Sequence, residues 1–257
     1  FFKLYQPKNK CLSIHITKKL NMEKYWIIGS SSGIGRELAR KLDAKGYDLI
    51  LSSRNQESLN ELNKSLINNH EVIPLDLSNK DQCLSVSKNI INKEMDSLKI
   101  IFMSATYSPD DSSNYENVIN VNILGLLHIL SITKEFIKNT NSISQLIICS
   151  SLVAYKGLPY SQPYSMTKAA LYNLASSLHI ELKGIVDVKV ITPGFVKTPL
   201  TDKNNFPMPL IISANAAARI IAKGINSNKF EISFPIPMYL IMNCLLYTSP
   251  SPRDCRL

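Results

Sequence analysis

An apolar run, Tyr25-Trp-Ile-Ile28, passes directly into Gly29, Gly33 and Gly35, and a helical pattern opens at Arg36. A strand before and a helix after make this more than a flexible glycine loop. Glycines so placed let the backbone turn sharply and let a pyrophosphate approach the positive end of the following helix. The spacing is GxxxGxG, not GxGxxG, and no lysine follows the last glycine, which excludes the GxxxxGK[ST] loop of nucleoside triphosphatases.

Apolar runs suited to buried strands then alternate with amphipathic stretches. The pattern predicts strands at 24–28, 47–51, 71–75, 98–103, 144–149, 186–191 and 229–233. Helices are predicted at 34–45, 55–67, 79–92, 113–138, 162–183 and 213–226. Strands that are continuously apolar, rather than alternating, belong to a parallel sheet covered on both faces. The expected fold is therefore α/β: a single-domain, Rossmann-like, doubly wound parallel sheet of about seven strands with helices on both faces. A nucleotide in such a sheet binds beyond the carboxyl ends of the strands, where the strand order switches.

Tyr164-Ser-Met-Thr-Lys168 places a phenol and an ammonium four residues apart, on one face of a predicted helix. A free phenol, with a pKa near ~10, exchanges protons poorly at neutral pH. A fixed cation beside it favours the phenolate and moves it toward the working range of general acid–base catalysis. Ser151, at the end of the preceding strand, adds a hydroxyl able to hold the oxygen that gains or loses the proton. Alone, a Tyr–Lys pair at this spacing is common on amphipathic helices. Together with the glycine turn, the set suits carbonyl–alcohol chemistry.

Gly29 to Gly35, Asn122 in Val-Asn-Ile-Leu-Gly, Ser151, Tyr164 with Lys168, and Pro193-Gly-Phe-Val-Lys-Thr198 resemble, in order and spacing, the motifs of the short-chain dehydrogenase/reductase family. The resemblance runs from about Lys24 to Pro235. It implies a catalytic set of Asn122, Ser151, Tyr164 and Lys168. Tyr164 would exchange the proton with the substrate oxygen and Ser151 would polarise that oxygen. Lys168 would lower the phenol pKa and bond the nicotinamide ribose, while Asn122 would hold a water linking Lys168 to solvent. For the dinucleotide it implies Gly29, Ser31, Ser32, Gly33, Ile34 and Gly35 at the turn, and Asp76, Leu77 and Ala105 along the adenosine half. Tyr164, Lys168, Val196 and Thr198 complete the set, Thr198 orienting the carboxamide. Helix capping is the competing use of Asp76 and Thr198. Two places depart from the family. Ile28 stands where Thr or Ser precedes the first glycine, and Met103-Ser-Ala-Thr106 replaces Asn-Asn-Ala-Gly. Thr106 thus brings a Cβ where glycine is usual, which predicts a locally different backbone.

The second strand ends Leu49-Ile-Leu-Ser-Ser-Arg54. A site for NAD(H) places a carboxylate there to accept from the ribose 2′-hydroxyl. Asp48 comes too early to reach, whereas Arg54 offers a planar, permanently charged fork to a 2′-phosphate. NADP(H) is therefore favoured over NAD(H).

Composition narrows the function classes. The formal net charge of +9 suggests nucleic acid, but five of those charges are lysines in residues 1–21, which hold no acid. Residues 1–21 are expected to be a leader or upstream read-through, with Met22 as the start and 22–243 as the catalytic domain. Cys244-Leu-Leu-Tyr-Thr-Ser-Pro-Ser-Pro-Arg-Asp254 is similar to a translated sequencing-library adapter, so 244–257 is expected to be non-native. Cys83 and Cys149 then remain, too few and too far apart for a disulfide framework or a metal site, which fits a cytoplasmic location. The four histidines show no ligand spacing, and no metal is expected. The apolar run Pro235–Leu246 is shorter than the roughly 20 residues a membrane span needs, but could lie on a membrane surface. Tyr155 and Tyr160, with no lysine four residues on, read as pocket or core aromatics. The resemblance further implies a small-molecule carbonyl or alcohol substrate, shaped by Pro199–Pro209 and the C-terminal segment. It implies a homodimer or homotetramer built on helices 113–138 and 162–183. A catalytically idle NADP-binding sensor or scaffold is the alternative; it would have no need of an activated phenol.

Overall fold

The structure is a computed structural model that describes residues 23–92, 97–107, 115–139, 143–158 and 161–248. Strand β1 (Lys24–Ile28) leads through the glycine turn into helix α1 (Gly33–Asp43), followed by β2 (Asp48–Ser52), α2 (Gln56–Lys64), β3 (Glu71–Val72), α3 (Lys80–Ile91) and β4 (Leu98–Phe102). Helices α4 (Tyr115–Ile119) and α5 (Gly125–Asn139) are joined by a π-helical segment, Asn120–Leu124. Then come β5 (Ile143–Cys149), α6 (Gln162–Glu181), β6 (Asp187–Pro193) and a small ribbon of β7 (Val196–Lys197) with β8 (Ile212–Ser213). Helix α7 (Ala214–Gly224), β9 (Glu231–Phe234) and α8 (Ile236–Thr248) complete the described chain.

Seven parallel strands form one sheet in the order β3-β2-β1-β4-β5-β6-β9. The strand order reverses between β1 and β4, so a crevice opens beyond their carboxyl ends. Pleating sends alternate residues of each strand to opposite faces. Trp26, Ile28, Ile100, Phe102, Leu146, Ile148 and Val190 pack with Leu126 and Ile129 of α5 and Leu171 and Ala175 of α6. Tyr25, Ile27, Leu49, Leu51, Ile101 and Ile147 pack on the other face with Leu38 of α1, Leu59 of α2 and Ile221 of α7. Both faces are dry, which is why the strands carry no polar alternation.

The predicted strands agree with the sheet to within a residue or two, except that β3 ends at Val72, two residues short of Pro74. The extended track continues: Ile73 and Leu75 still donate to the Leu51 and Ser53 carbonyls. Helix starts follow local chemistry. Asn55, Asn79 and Ser213 accept from the backbone three residues on and cap α2, α3 and α7. The predicted helix 113–138 departs most, because the π-helical segment interrupts it at Asn122. The β7–β8 ribbon and α8 had no counterpart in the predicted elements. Tyr115–Ile137 is long and apolar enough to cross a membrane by length and composition, yet 44% of its apolar window is buried, with Val121, Leu126 and Ile129 in the core. Of the regions singled out from sequence, the leader, Tyr160 and residues 249–257 lie outside the described residues.

Candidate active site

The glycine turn is fixed by contact as much as by conformation. Gly29 has φ of 94°, and a Cβ there would stand 2.7 Å from the Ser104 nitrogen. A Cβ at Gly35 would collide with the Gly29 carbonyl oxygen. The first turn of α1 thus presses against the end of β1, and no side chain could be inserted between them. Ser32, the cap residue of α1, makes no capping bond through its side chain. Free N–H groups at that helix end suit a phosphate.

This turn forms one wall of a cavity of about 410 Å³ beyond the carboxyl ends of the strands. Gly29, Ser31, Ser32, Gly33, Ile34, Gly35, Arg54, Leu77, Ala105, Ser151, Tyr164, Lys168, Val196 and Thr198 all line it. Its lining cations are Arg54, Lys168 and Lys203, and no carboxylate lines it among the described residues. Such a charge pattern fits a polyanionic dinucleotide. Asp48, the only acid on β2, instead pairs with Lys24 at 3.1 Å.

Two predicted site residues do not line this cavity. The Asp76 Oδ1 accepts from the Ser78 backbone N–H at 3.0 Å and from its hydroxyl at 2.8 Å. That local turn holds the carboxylate, and Asn79 rather than Asp76 caps α3. Asn122 is wholly buried. Its Oδ1 accepts from the Thr106 N–H at 2.7 Å, and its Nδ2 donates to the Thr106 carbonyl at 3.0 Å and to the Thr167 hydroxyl at 3.1 Å. The Asn122 side chain therefore fixes the backbone of Thr106 and ties it to α6, one residue before Lys168. Thr106 needs no unusual backbone: Leu210 is the non-glycine residue with positive φ among those described. The amide of Asn122 holds both the N–H and the carbonyl of Thr106.

Tyr164 and Lys168 project from the same face of α6. The Lys168 Nζ lies 5.5 Å from the Tyr164 ring centroid and donates to the Cys149 carbonyl at 2.9 Å. Ser151 donates to the Pro193 carbonyl at 3.2 Å and is hydrogen-bonded to the Tyr164 phenol. Tyr107 packs edge-on against Tyr164 with centroids 5.3 Å apart. Burial pushes the Tyr164 phenol well above its ordinary range, and the bond to Ser151 pulls the other way. Burial likewise draws the Lys168 ammonium down. Burial thus outweighs the bond to Ser151 in setting the direction of the Tyr164 shift.

Thr198 stands at the cavity edge, where a turn begins. It lines the cavity, and its carbonyl accepts from Thr201 and Asp202 at 3.0 Å to start the next turn. Tyr155 is structural: its hydroxyl bonds Glu231 and its ring packs edge-on against Tyr172 and Tyr239. Sequence motifs did not point to Lys203, which lines the cavity and donates to the Tyr107 carbonyl at 3.1 Å. Nor did they reveal a second cavity, of about 620 Å³, which shares Ser151, Tyr164, Gly194, Leu200 and Thr201 with the first. Its remaining walls come from Tyr107, Leu152, Val153, Leu158, Ser161, Phe195–Leu210 and α8, of which Pro199–Pro209 and the C-terminal segment are those the family resemblance implies for the substrate.

Residues 24–208 match the short chain dehydrogenase family. An uncharacterized oxidoreductase of Myxococcus xanthus is 30% identical over 220 residues, spanning 81% of this chain and 86% of that protein. A 3-oxoacyl-acyl-carrier-protein reductase of Rickettsia prowazekii is 33% identical over 189 residues, covering 70% and 75%. A short-chain dehydrogenase from Sphingobium yanoikuyae, solved in complex with NADPH, superposes with a TM-score of 0.73 at 16% identity, over 91% of this chain and 99% of that one. The chain belongs to the short-chain dehydrogenase/reductase family, and it is an NAD(P)-dependent oxidoreductase acting on CH–OH and C=O groups.

Proposed function

We propose that this protein interconverts a carbonyl and an alcohol with NADP(H), using Tyr164 as general acid and base. The observation that carries this reading is the placement of Ser151, Tyr164 and Lys168 where a cationic, carboxylate-free cavity meets an apolar one. When bound, the dinucleotide supplies a hydride to the carbonyl carbon, or takes one from the alcohol. The chain provides the rest. In reduction, Ser151 donates to the carbonyl oxygen and Tyr164 gives that oxygen its phenolic proton; in oxidation the same proton returns to Tyr164. Lys168 holds the nicotinamide ribose, and Thr198 and Val196 hold the carboxamide. Asn122 acts as a positioning residue through Thr106 and Thr167.

Arg54 supports the NADP(H) preference. Its side chain is exposed at the rim of the cavity next to Asn55, whose own side chain is occupied in capping α2. Leu124, Leu127 and Met166 are exposed on the two long helical stretches and support their pairing in a homodimer or homotetramer. The buried free thiols of Cys83 and Cys149 fit the cytoplasm. Steady-state rates with NADPH and NADH over a panel of ketones and aldehydes test the reading. Turnover with NADPH that is lost in Tyr164→Phe, with NADPH still bound, is the expected result. No reduction of any member, or equal rates in Tyr164→Phe, would overturn it.

A further inference from the structure

Behind the two cavities, one carboxylate gathers four hydroxyls. Strands β6 and β9 pair with Ile191 opposite Ile232 and Thr192 opposite Ser233. Ile191 and Ile232 pack on the α7 face, so pleating turns Thr192, Glu231 and Ser233 toward α6. The Glu231 Oε1 meets the hydroxyls of Thr192 and Ser233, each at 2.6 Å, and that of Tyr155. Its Oε2 meets the Tyr172 hydroxyl at 3.2 Å. An ionised carboxylate only accepts, so the hydroxyls that reach it are turned donor-first toward one point.

Two of these arms lead to Ser151. Thr192 immediately precedes Pro193, whose carbonyl accepts from the Ser151 hydroxyl at 3.2 Å. Tyr155 closes the single-turn 3₁₀ helix Leu152–Ala154, which Ser151 opens as its cap. In that turn the Ser151 carbonyl accepts from the Ala154 N–H at 3.0 Å, and the Ser151 Oγ accepts from the Val153 N–H at 3.3 Å. One turn of 3₁₀ helix has little stability of its own. The partner that orients the Ser151 hydroxyl and the turn that carries its backbone are thus pinned to the same carboxylate. The third arm, Tyr172, stands one turn beyond Lys168 on the face of α6 that carries Tyr164 and Lys168.

We propose that Glu231 is a positioning residue for the reaction. Through Thr192 and Tyr155 it sets the direction in which Ser151 presents its hydroxyl to the substrate oxygen, and through Tyr172 it fixes α6 against that hydroxyl. The inference rests on the carbonyl–alcohol reading above, in which Ser151 polarises that oxygen. Glu231 lines neither cavity, so its influence reaches the reaction only through the groups it holds.

The test uses the full chain with Glu231→Leu, which keeps no acceptor, and Glu231→Gln, which keeps one. With NADPH and the best ketone of the panel, Glu231→Leu should lower kcat by about 10- to 100-fold, the scale of a donor misplaced by about an ångström. NADPH affinity and substrate KM should hardly move, and Glu231→Gln should recover most of the loss. A double-mutant cycle with Ser151→Ala separates positioning from general support. Once the Ser151 hydroxyl is gone its direction no longer matters, so Glu231→Leu should cost less than about twofold more in the Ser151→Ala background. Losses that multiply would make Glu231 a support of the fold alone and overturn the proposal. Amide hydrogen exchange reads the same tie without turnover. In both Glu231 variants the Val153–Tyr155 amides should exchange about fivefold faster or more, while α5 and β4 stay protected. Unchanged protection of that turn would also overturn the proposal. Should Glu231→Leu fail to fold, Thr192→Val and Tyr155→Phe each remove one arm and should show the same signature in smaller measure. A loosened turn in a protein that reduces no ketone would strike the oxidoreductase reading and leave the tie between Glu231 and Ser151 standing.

Discussion

The two cavities that meet at Ser151 and Tyr164 are built on opposite plans. The first is made by strand ends and a glycine turn, carries Arg54, Lys168 and Lys203, and tolerates almost no change of backbone. The second is larger, uncharged among its described residues, and assembled from three separated segments ending in a methionine-bearing helix. An invariant polyanion demands backbone N–H groups and fixed cations at set distances. A neutral apolar guest demands only volume, dryness and one or two polar anchors. On the function proposed above, the chemistry would belong to neither cavity but to the side chains they share.

That division predicts its largest effect at the shared wall. Tyr164→Phe removes the proton donor and leaves both cavities intact. The expected loss is about 10²- to 10⁴-fold in kcat, as for other general acid–base groups, with NADPH affinity nearly unchanged by fluorescence titration. A parallel loss of cofactor binding would show that the wall also builds the first cavity. The same phenol has a thermodynamic signature. Burial raises Tyr164, Tyr155 and Tyr25 above the ordinary phenol range, and burial first, then Glu231, pushes Tyr172 up to about 12. A phenol raised in the folded state contributes stability that is fully present below its unfolded pKa near ~10 and is lost as pH climbs toward the folded value. Melting temperature should therefore fall as pH rises from ~10 toward ~12, and Tyr164→Phe and Tyr155→Phe should each make the fall shallower. A melting temperature flat across that window would contradict the burial of these phenols.

Asn122→Ala comes next in size and separates support from contact. It strands the N–H and carbonyl of Thr106, which lines the cavity, and a bond to Thr167, while Asn122 itself does not line it. Leaving buried polar groups unpaired at ~1–3 kcal/mol each predicts a loss of about 2–4 kcal/mol, or roughly 4–16 °C in melting temperature for a chain of this size. Cofactor affinity should follow only as far as Thr106 moves. An unchanged melting temperature with abolished turnover would instead make Asn122 part of the proton path.

Arg54→Ala probes the first cavity alone. Loss of a charge-assisted bond worth about 1.5–3 kcal/mol should weaken NADPH by about 10- to 150-fold and NADH hardly at all. Substrate KM at saturating cofactor should not move. Equal weakening of both dinucleotides would remove the case for a 2′-phosphate contact.

The contrast also explains what could be read from sequence. The first cavity was legible because each of its demands is local: Gly29 and Gly35 cannot carry a Cβ, Arg54 ends a strand, and Tyr164 and Lys168 share a helix face through fixed periodicity. Strand positions were legible because buried parallel strands leave unbroken apolar runs. Asp76, expected at the adenosine half, turns one carboxylate oxygen back on Ser78 and lies outside the cavity lining, a placement that residue type after a strand does not specify. The π-helical segment at Asn122 escaped notice because apolar periodicity does not distinguish a single wider turn inside a long helical stretch. The second cavity was legible only through the resemblance, which pointed to Pro199–Pro209 and the C-terminal segment but not to its size or apolar lining. Phe195, Met238 and Ile241 are ordinary apolar residues until the fold brings them together.

The smallest effect should come from the strap between the cavities. Lys203 lines the first and Asn204 the second, and Lys203 ties this turn to the loop after β4 by its bond to the Tyr107 carbonyl. Lys203→Met keeps the length of the side chain and removes only the charge and that bond, a change worth about 0.5–1.5 kcal/mol. NADPH affinity should fall by about two- to tenfold, with the ranking of ketones preserved. If the ranking shifts while NADPH binding does not, the strap serves the apolar cavity, and the boundary between the two plans runs on the other side of Lys203.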